Sequence, residues 1–251
     1  MCICTRNANR LKFLFLGDHG VGKTCTTIAA IVGSYPSSYI PSADFENWAH
    51  YATVDGVDYF LDVAEAPGRD CKEDIRVLAF VGIEPDVLFI CFDVANRASF
   101  ESVEQKWLPE VKHLAPYLPI VLVANKTDLW NSSDRNSGDI VSAEEGRSLV
   151  QRLGLDTYLE CSAMTHDGIP DVIPTGVRVY KDSKAIIKRC RKVVHRLKVV
   201  FSNKPTLSRF LKCLITCKYS YFVYCSRHSC VLHMRSPPEK DYPNCYCRQK
   251  K

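Results

Sequence analysis

The sequence predicts an α/β fold with a mostly parallel central sheet flanked by helices, followed by a basic C-terminal extension. Three observations carry that expectation. Strand-like apolar runs alternate with helix-like or loop segments, the pattern of βαβ units. The first of those runs opens directly onto a glycine-rich turn and then a helix-like stretch. Charge divides the chain in two: residues 1–177 carry 14 Lys and Arg against 25 Asp and Glu, net −11, while residues 178–251 carry 19 against 3, net +16. The modest +5 of the whole chain conceals this asymmetry. An acidic domain with a basic tail points to a phosphate-rich partner surface, anionic lipid or nucleic acid.

In order along the chain, the first strand is expected at Leu11–Leu16 and is followed by the helix-like run Thr26-Thr27-Ile28-Ala29-Ala30-Ile31-Val32. Further strands are expected at Tyr59–Val63, Val87–Phe92, Ile120–Ala124 and Tyr158–Cys161. In such sheets a ligand sits at the carboxyl ends of the strands. Residues Ala143 to Leu153 read as an exposed helix stopped by a C-cap at Gly154. Beyond Asp171 the pattern breaks, because Pro174 and Gly176 would interrupt a helix begun near Pro170. Helical periodicity resumes over about 182–202, with Ile186, Ile187, Cys190, Val193, Val194 and Leu197 on one face and Lys184, Lys188, Arg189, Arg191 and Lys192 on the other. The domains expected are therefore 1–177 and 178–251, the second containing this basic amphipathic helix.

The chain has 13 cysteines, but Met1 to Arg10 has no apolar segment of the secretory kind, so the thiols are expected to be reduced in the cytoplasm. No run reaches the length of a membrane span, since Phe210–Tyr224 is interrupted by Lys212 and Lys218. Cys2 stands where N-myristoylation needs glycine.

The glycine-rich turn reads Gly17-Asp18-His19-Gly20-Val21-Gly22-Lys23-Thr24, with Cys25 next. This spacing lets successive backbone N–H groups surround the phosphates of a nucleotide, with Lys23 as a point charge and the Thr24 hydroxyl for Mg²⁺. About one hundred residues on, directly after the strand Ile120–Ala124, stands Asn125-Lys126-Thr127-Asp128. A carboxylate at Asp128 can accept both the ring N–H and the exocyclic amine of guanine, a pairing that adenine does not offer. A second sign is Glu160-Cys161-Ser162-Ala163, where a backbone N–H after a strand can meet the guanine O6.

On these residues, and on Tyr39–Ser42, Phe45–Asn47, Lys106–His113 and Pro119–Val123, the chain resembles the Rho family of small GTPases within the Ras superfamily. The likeness spans roughly residues 11 to 172. It implies a Ras-like P-loop domain that binds GTP or GDP with Mg²⁺ and signals to effectors as a switch. By the same likeness Lys23 would hold the β and γ phosphates, Thr24 would ligate Mg²⁺, and Asn125, Lys126 and Asp128 would hold the base. Ser162 and Ala163 would complete the base site, Ala163 through its N–H. Tyr39, Phe45, Glu46 and Asn47 would belong to the effector loop, with Ser42 in the place of a Mg²⁺-binding threonine. Exchange factors and GTPase-activating proteins are the implied regulators.

Departures from the family carry as much information as the likeness. Where the family reads Asp-Thr-Ala-Gly-Gln, this chain has Glu65-Ala66-Pro67-Gly68-Arg69. Gly68 keeps the N–H that senses the γ-phosphate, and Glu65 keeps the charge that supports Mg²⁺ from beyond its direct ligands. Arg69 takes the place of the catalytic glutamine, which both donates to and accepts from the attacking water, whereas a guanidinium only donates. His19 replaces a glycine of the cradle and is expected to crowd the γ-phosphate. Slow GTP hydrolysis follows from both changes, and an alternative is a GTP-loaded binding or scaffold module without significant GTPase activity. The segment Trp130–Ser142 is shorter than the family's insert helix, and the chain ends Cys247-Arg248-Gln249-Lys250-Lys251, without a prenylation box.

For the tail, S-palmitoylation among Cys213, Cys217, Cys225, Cys230, Cys245 and Cys247 beside a polybasic helix would supply two membrane-anchoring signals. Peripheral association with the cytoplasmic face of a membrane is the expectation. Zn²⁺ binding by Cys225, His228, Cys230 and His233, and nucleic-acid binding, are the disfavoured alternatives. A further reading takes everything after Val172 as sequence of an altered splice form, which would leave the sheet without its last covering helix.

Overall fold

The computed structural model describes residues 9–36, 46–68, 73–131 and 140–200 and the short segments 223–226 and 229–232. It divides into two compact units, residues 1–182 and 183–251. The first unit is built on a six-stranded sheet in the order β2-β3-β1-β4-β5-β6. Its strands are β1 (Arg10–Leu16), β2 (Glu46–Val54), β3 (Val57–Glu65), β4 (Val87–Asp93), β5 (Ile120–Asn125) and β6 (Thr157–Cys161). All neighbours are parallel except β2 and β3, which pair antiparallel. The helices are α1 (Lys23–Val32), α2 (Glu73–Ile83), α3 (Arg97–Ser102), α4 (Leu108–Leu114), α5 (Ala143–Leu153) and α6 (Ile169–Val200). A π-helical turn, Val103–Trp107, joins α3 to α4.

Alternation along the strands divides the apolar side chains between two layers. Phe13, Phe15, Phe89, Val121 and Val123 face α1 and α6, while Leu14, Leu16, Leu88, Ile90, Leu122 and Trp107 fill the opposite layer. The central strands are buried on both faces, which is why they read as continuous apolar runs. Phe15 and Phe89 stack at 4.5 Å with 4° between ring planes.

The strand missing from the sequence reading is β2, and with it the position of Glu46 and Asn47, which begin that strand opposite Glu65 and Ala64. Its signal was the Asp55-Gly56 pair, which closes a two-residue hairpin with both residues at positive φ, 51° and 74°. As an edge strand exposed on alternate residues, β2 lacks the apolar run that identifies its neighbours.

Helix α6 corrects the expected break at Pro174. It runs without interruption through Pro174 and Gly176 to Val200, so the periodicity over 182–202 belongs to the end of one long helix. An interior proline costs about 3 kcal/mol through a lost N–H bond and a clash with the carbonyl four residues back. Val172, Ile173, Val177 and Val179 are all buried, and each contributes about 1.5–3 kcal/mol, so burial wins. Gly176 makes that burial possible, because a Cβ there would lie 2.6 Å from Phe89 and 2.8 Å from Phe13. The sheet therefore has its covering helix, and the reading that it was lost after Val172 is overturned. Pro174→Ala restores the backbone donor while leaving the buried face intact. It is expected to raise stability by about 1–2 kcal/mol, measured by urea unfolding of the full chain.

The expected helix at Ala143–Leu153 is present with its Gly154 C-cap in the left-handed region. Ser142 and Glu145 form a capping box at its start, and Arg97 binds Glu145 at 2.8 Å. The Arg97 guanidinium, with the Ser142 backbone N–H, pulls the Glu145 carboxyl from its usual 4.5 to about 2. A depressed carboxyl stabilises the fold above its unfolded value, and that stability is lost as pH falls from 4.5 through about 2. Glu145→Gln is expected to cost about 0.5–1 kcal/mol at pH 7, an amount reduced for solvent screening, and nothing near pH 2. Denaturant titrations at both pH values measure the difference.

In the second unit, β7 (Val223–Ser226) and β8 (Ser229–Leu232) form an antiparallel pair with Cys225 opposite Cys230. Among the described residues no helix is long and apolar enough to cross a membrane. Side chains of the helix end beyond Ile186, and most of the cysteines proposed for acylation, lie outside the described residues.

Candidate nucleotide site

Parallel pairing brings the carboxyl ends of the strands to one edge, where Phe15 stands beside Glu65, Asp93 beside Asn125, and Asn125 beside Cys161. The turn from β1 into α1 lies at that edge. Gly17 is required there: its φ is 141°, and a Cβ would sit 2.2 Å from the Cys91 carbonyl oxygen. Helix α1 starts at Lys23 with no side-chain cap and no acidic residue in its first turn. Its leading N–H groups are thus left to an anion, the arrangement that binds phosphate. By contrast α5 is fully capped by its own side chains.

Lys23 is buried and folds back over the turn, donating from Nζ to the carbonyls of Gly17 and Asp18, both at 2.9 Å. Burial lowers its pKa, and the nearby Cys91, Glu65 and Asp18 oppose that shift. The Thr24 hydroxyl donates to Glu65 Oε2 at 2.7 Å. The longer acidic side chain of this chain thus reaches the threonine directly. Hydroxyl and carboxylate oxygens are the hard donors that suit Mg²⁺, which binds through few protein groups and the substrate's phosphates. Among the described residues no cluster of three or more His, Cys, Asp or Glu could hold a metal ion. Mg²⁺ held by Thr24, with Glu65 behind it, would neutralise charge on the phosphates.

The base motif is fastened to the phosphate loop. Asn125 donates from Nδ2 to the Val21 carbonyl at 2.9 Å, and its Oδ1 accepts from Thr26 at 3.0 Å and from the Cys161 thiol at 3.1 Å. Burial pushes the Cys161 thiol up to about 12, so it stays protonated and donates. Lys126, at a positive φ of 62°, reaches across to the Gly20 carbonyl at 2.8 Å and to Asp93 at 2.7 Å. Asn125 therefore joins the guanine loop to the phosphate loop. Asp128 accepts a short hydrogen bond from Ser162, which orients its carboxylate. Ser162 is itself held through its N–H on Asp167 at 2.9 Å, and Ala163 follows it half-buried.

His19 is exposed and does not require positive φ, so the loop carries an imidazole without backbone strain. Gly68 meets the loop at this point. A Cβ on Gly68 would lie 2.4 Å from the Gly17 oxygen and 2.5 Å from the His19 nitrogen. Tyr39, Ser42, Phe45 and Arg69 lie outside the described residues, so their expected roles have no geometry here.

Several residues of the site escaped the sequence reading. Thr26 binds Asn125, and Asp93 binds Lys126. Trp107, in the π-helical turn, donates to Asp18 of the phosphate loop at 3.0 Å, with Lys106 4.0 Å above its ring. Turns of this kind are frequent at functional sites. Tyr35, half-exposed just after α1, works against the rise that burial imposes on the Cys25 thiol. The signals available were the paired threonines in an otherwise apolar helix and a lone aromatic after the Gly33 C-cap.

Comparison with known proteins agrees with this geometry. The family model described as "Ras family" matches residues 12–182, ten residues beyond the Val172 limit set by the sequence alone. The chain is 36% identical over 177 residues to the Rho-related GTP-binding protein RhoB of Homo sapiens, covering 68% of this chain and 89% of the relative. The RhoB of Mus musculus matches with the same identity and coverage. A six-stranded sheet with one antiparallel edge strand, a phosphate loop bolted to a guanine motif, and these matches together place the chain in the Ras family of GTP-binding proteins, as a small GTPase of the Rho type.

Proposed function

We propose that this GTPase binds GTP with Mg²⁺ and holds it far longer than it takes an ordinary family member to cleave it. The observation that carries the reading is the junction of His19 with Gly68. A side chain stands on the phosphate loop where the second switch segment approaches, and the next residue along that segment is Arg69. Hydrolysis in this class depends on positioning a water and stabilising charge, not on a covalent group. Arg69 lacks the acceptor that orients water, and the loop residue that Gly68 approaches carries an imidazole where the family has glycine. The pairs Thr24–Glu65 and Asp128–Ser162 and the Asn125 links support retention of the nucleotide and its metal.

In this reading the output of the switch is set by abundance and location more than by turnover. Effectors engage the loop containing Tyr39, Phe45, Glu46 and Asn47, exchange factors load the nucleotide, and the basic tail draws the protein to anionic membrane. Nucleic acid is not assigned a role. The nucleotide that copurifies with the full chain tests the proposal. GTP in excess of GDP is the expected result. Predominant GDP would show working hydrolysis and contradict it.

A further inference from the structure

One buried contact of the site belongs to a residue with no assigned role. Thr26 lies on α1 two residues after Thr24, and its side chain, like all helical side chains, leans toward the helix N-terminus and hence toward the phosphate loop. Its hydroxyl donates to Asn125 Oδ1 at 3.0 Å, across a sequence separation of 99 residues. Both residues are 1% exposed. The amide of Asn125 must keep one orientation, because its Nδ2 serves the Val21 carbonyl while its Oδ1 faces two donors. Those donors are unequal. The Cys161 thiol is a weak one, so the Thr26 hydroxyl is the strong contact that fixes the amide.

We propose that Thr26 is a positioning residue for the nucleotide: through Asn125 it locks the guanine loop to the phosphate loop, and so slows nucleotide release. The inference rests on guanine-nucleotide binding at this site. Without the Thr26 donor, Asn125 can turn over, the link to Val21 is lost, and the frame between Gly20–Thr24 and Lys126–Asp128 loosens. β-Branched residues are poor helix formers, so a buried threonine here contributes chiefly through its hydroxyl.

The neighbouring residue supplies an internal control. Thr27 is equally buried at 1%, and its hydroxyl has no hydrogen-bond partner among the described residues. Thr26→Val and Thr27→Val make the same isosteric change, one residue apart, and only the first removes a bond.

The test is release of a fluorescent GDP analogue from the full chain, chased with excess GDP, alongside thermal unfolding. Thr26→Val is expected to release the analogue about 10-fold faster, the factor that follows from one buried hydrogen bond. Thr27→Val and Thr26→Ser, which keeps the hydroxyl, are expected to stay within about 2-fold of the parent. Should Thr26→Val fail to fold, Thr26→Ala removes the same donor. Equal release from the parent and the hydroxyl-free variant overturns the inference, whether or not the melting temperature falls. Equal acceleration by Thr27→Val overturns it too, because the effect would then be one of helix packing. A parent chain that binds no guanine nucleotide overturns this inference and the proposed function together, whereas the other contrary results leave the proposed function standing.

Discussion

Changing Arg69 to Gln and His19 to Gly in the same chain is expected to raise single-turnover GTP hydrolysis, with a GTPase-activating protein present, by about 100-fold or more. The full contribution of water positioning together with an activating arginine reaches on the order of 10⁵ in this reaction class. A share of two decades corresponds to about 2.7 kcal/mol of transition-state stabilisation. Glutamine supplies both a donor and an acceptor to the attacking water, and glycine at 19 removes the imidazole from the loop segment that Gly68 approaches. Each single change is expected to recover much less. Arg69→Gln alone leaves the imidazole on the phosphate loop, and His19→Gly alone leaves a group that only donates. Both substitutions are aimed at the same attacking water, so their effects are expected to be strongly non-additive. Rapid-quench measurement of phosphate release from preloaded chain, for the parent and all three variants, reads the effect. Nucleotide affinity should change little, since both substitutions leave the residues that Asn125 links in place.

Asn125→Ala is expected to be the most damaging single substitution in the base motif. It removes contacts to Val21, Thr26 and Cys161, and leaves a buried carbonyl, hydroxyl and thiol to be satisfied elsewhere. Each orphaned neutral group costs about 1–3 kcal/mol, the thiol least, so a total near 3–4 kcal/mol is expected in urea unfolding. For a domain of this size that corresponds to a fall of about 10 °C in Tm. Guanine-nucleotide affinity should fall by about 100-fold or more, because the phosphate loop and the guanine loop lose their shared anchor. Titration with fluorescent GDP measures it. Retained affinity with lowered stability would show that Asn125 supports the core alone and does not organise the site.

The central sheet was legible because three of its strands, β1, β4 and β5, are buried along most of their length and a fourth, β3, lies between two partners. Burial of that kind leaves runs of apolar residues that nothing else in the chain mimics. The phosphate and base motifs were legible because their chemistry fixes spacing along the chain: glycines for the turn, Lys23 and Thr24 at the helix start, Asp128 at a strand end. Edge strand β2 was not, since an alternating, half-exposed strand competes with a loop, and its neighbour Asp55-Gly56 was the only firm sign of a hairpin. Pro174 misled for a physical reason. Its local cost is certain, but the buried face that outweighs it is spread over Val172, Ile173, Gly176, Val177 and Val179 against the rings of Phe13 and Phe89, which lie far away in sequence. Thr26 and Trp107 were invisible as site residues for the same reason. Their partners, Asn125 and Asp18, are 99 and 89 residues distant, and no spacing rule links them.

GTP hydrolysis by the unaltered full chain, measured in a single turnover with and without a GTPase-activating protein active on Rho-type GTPases, tests the central claim most directly. Retention of GTP through His19 and Arg69 predicts slow hydrolysis alone and less than about 10-fold stimulation, against the roughly 10⁵ available to a glutamine-bearing site. Full stimulation to the ordinary rate would contradict it.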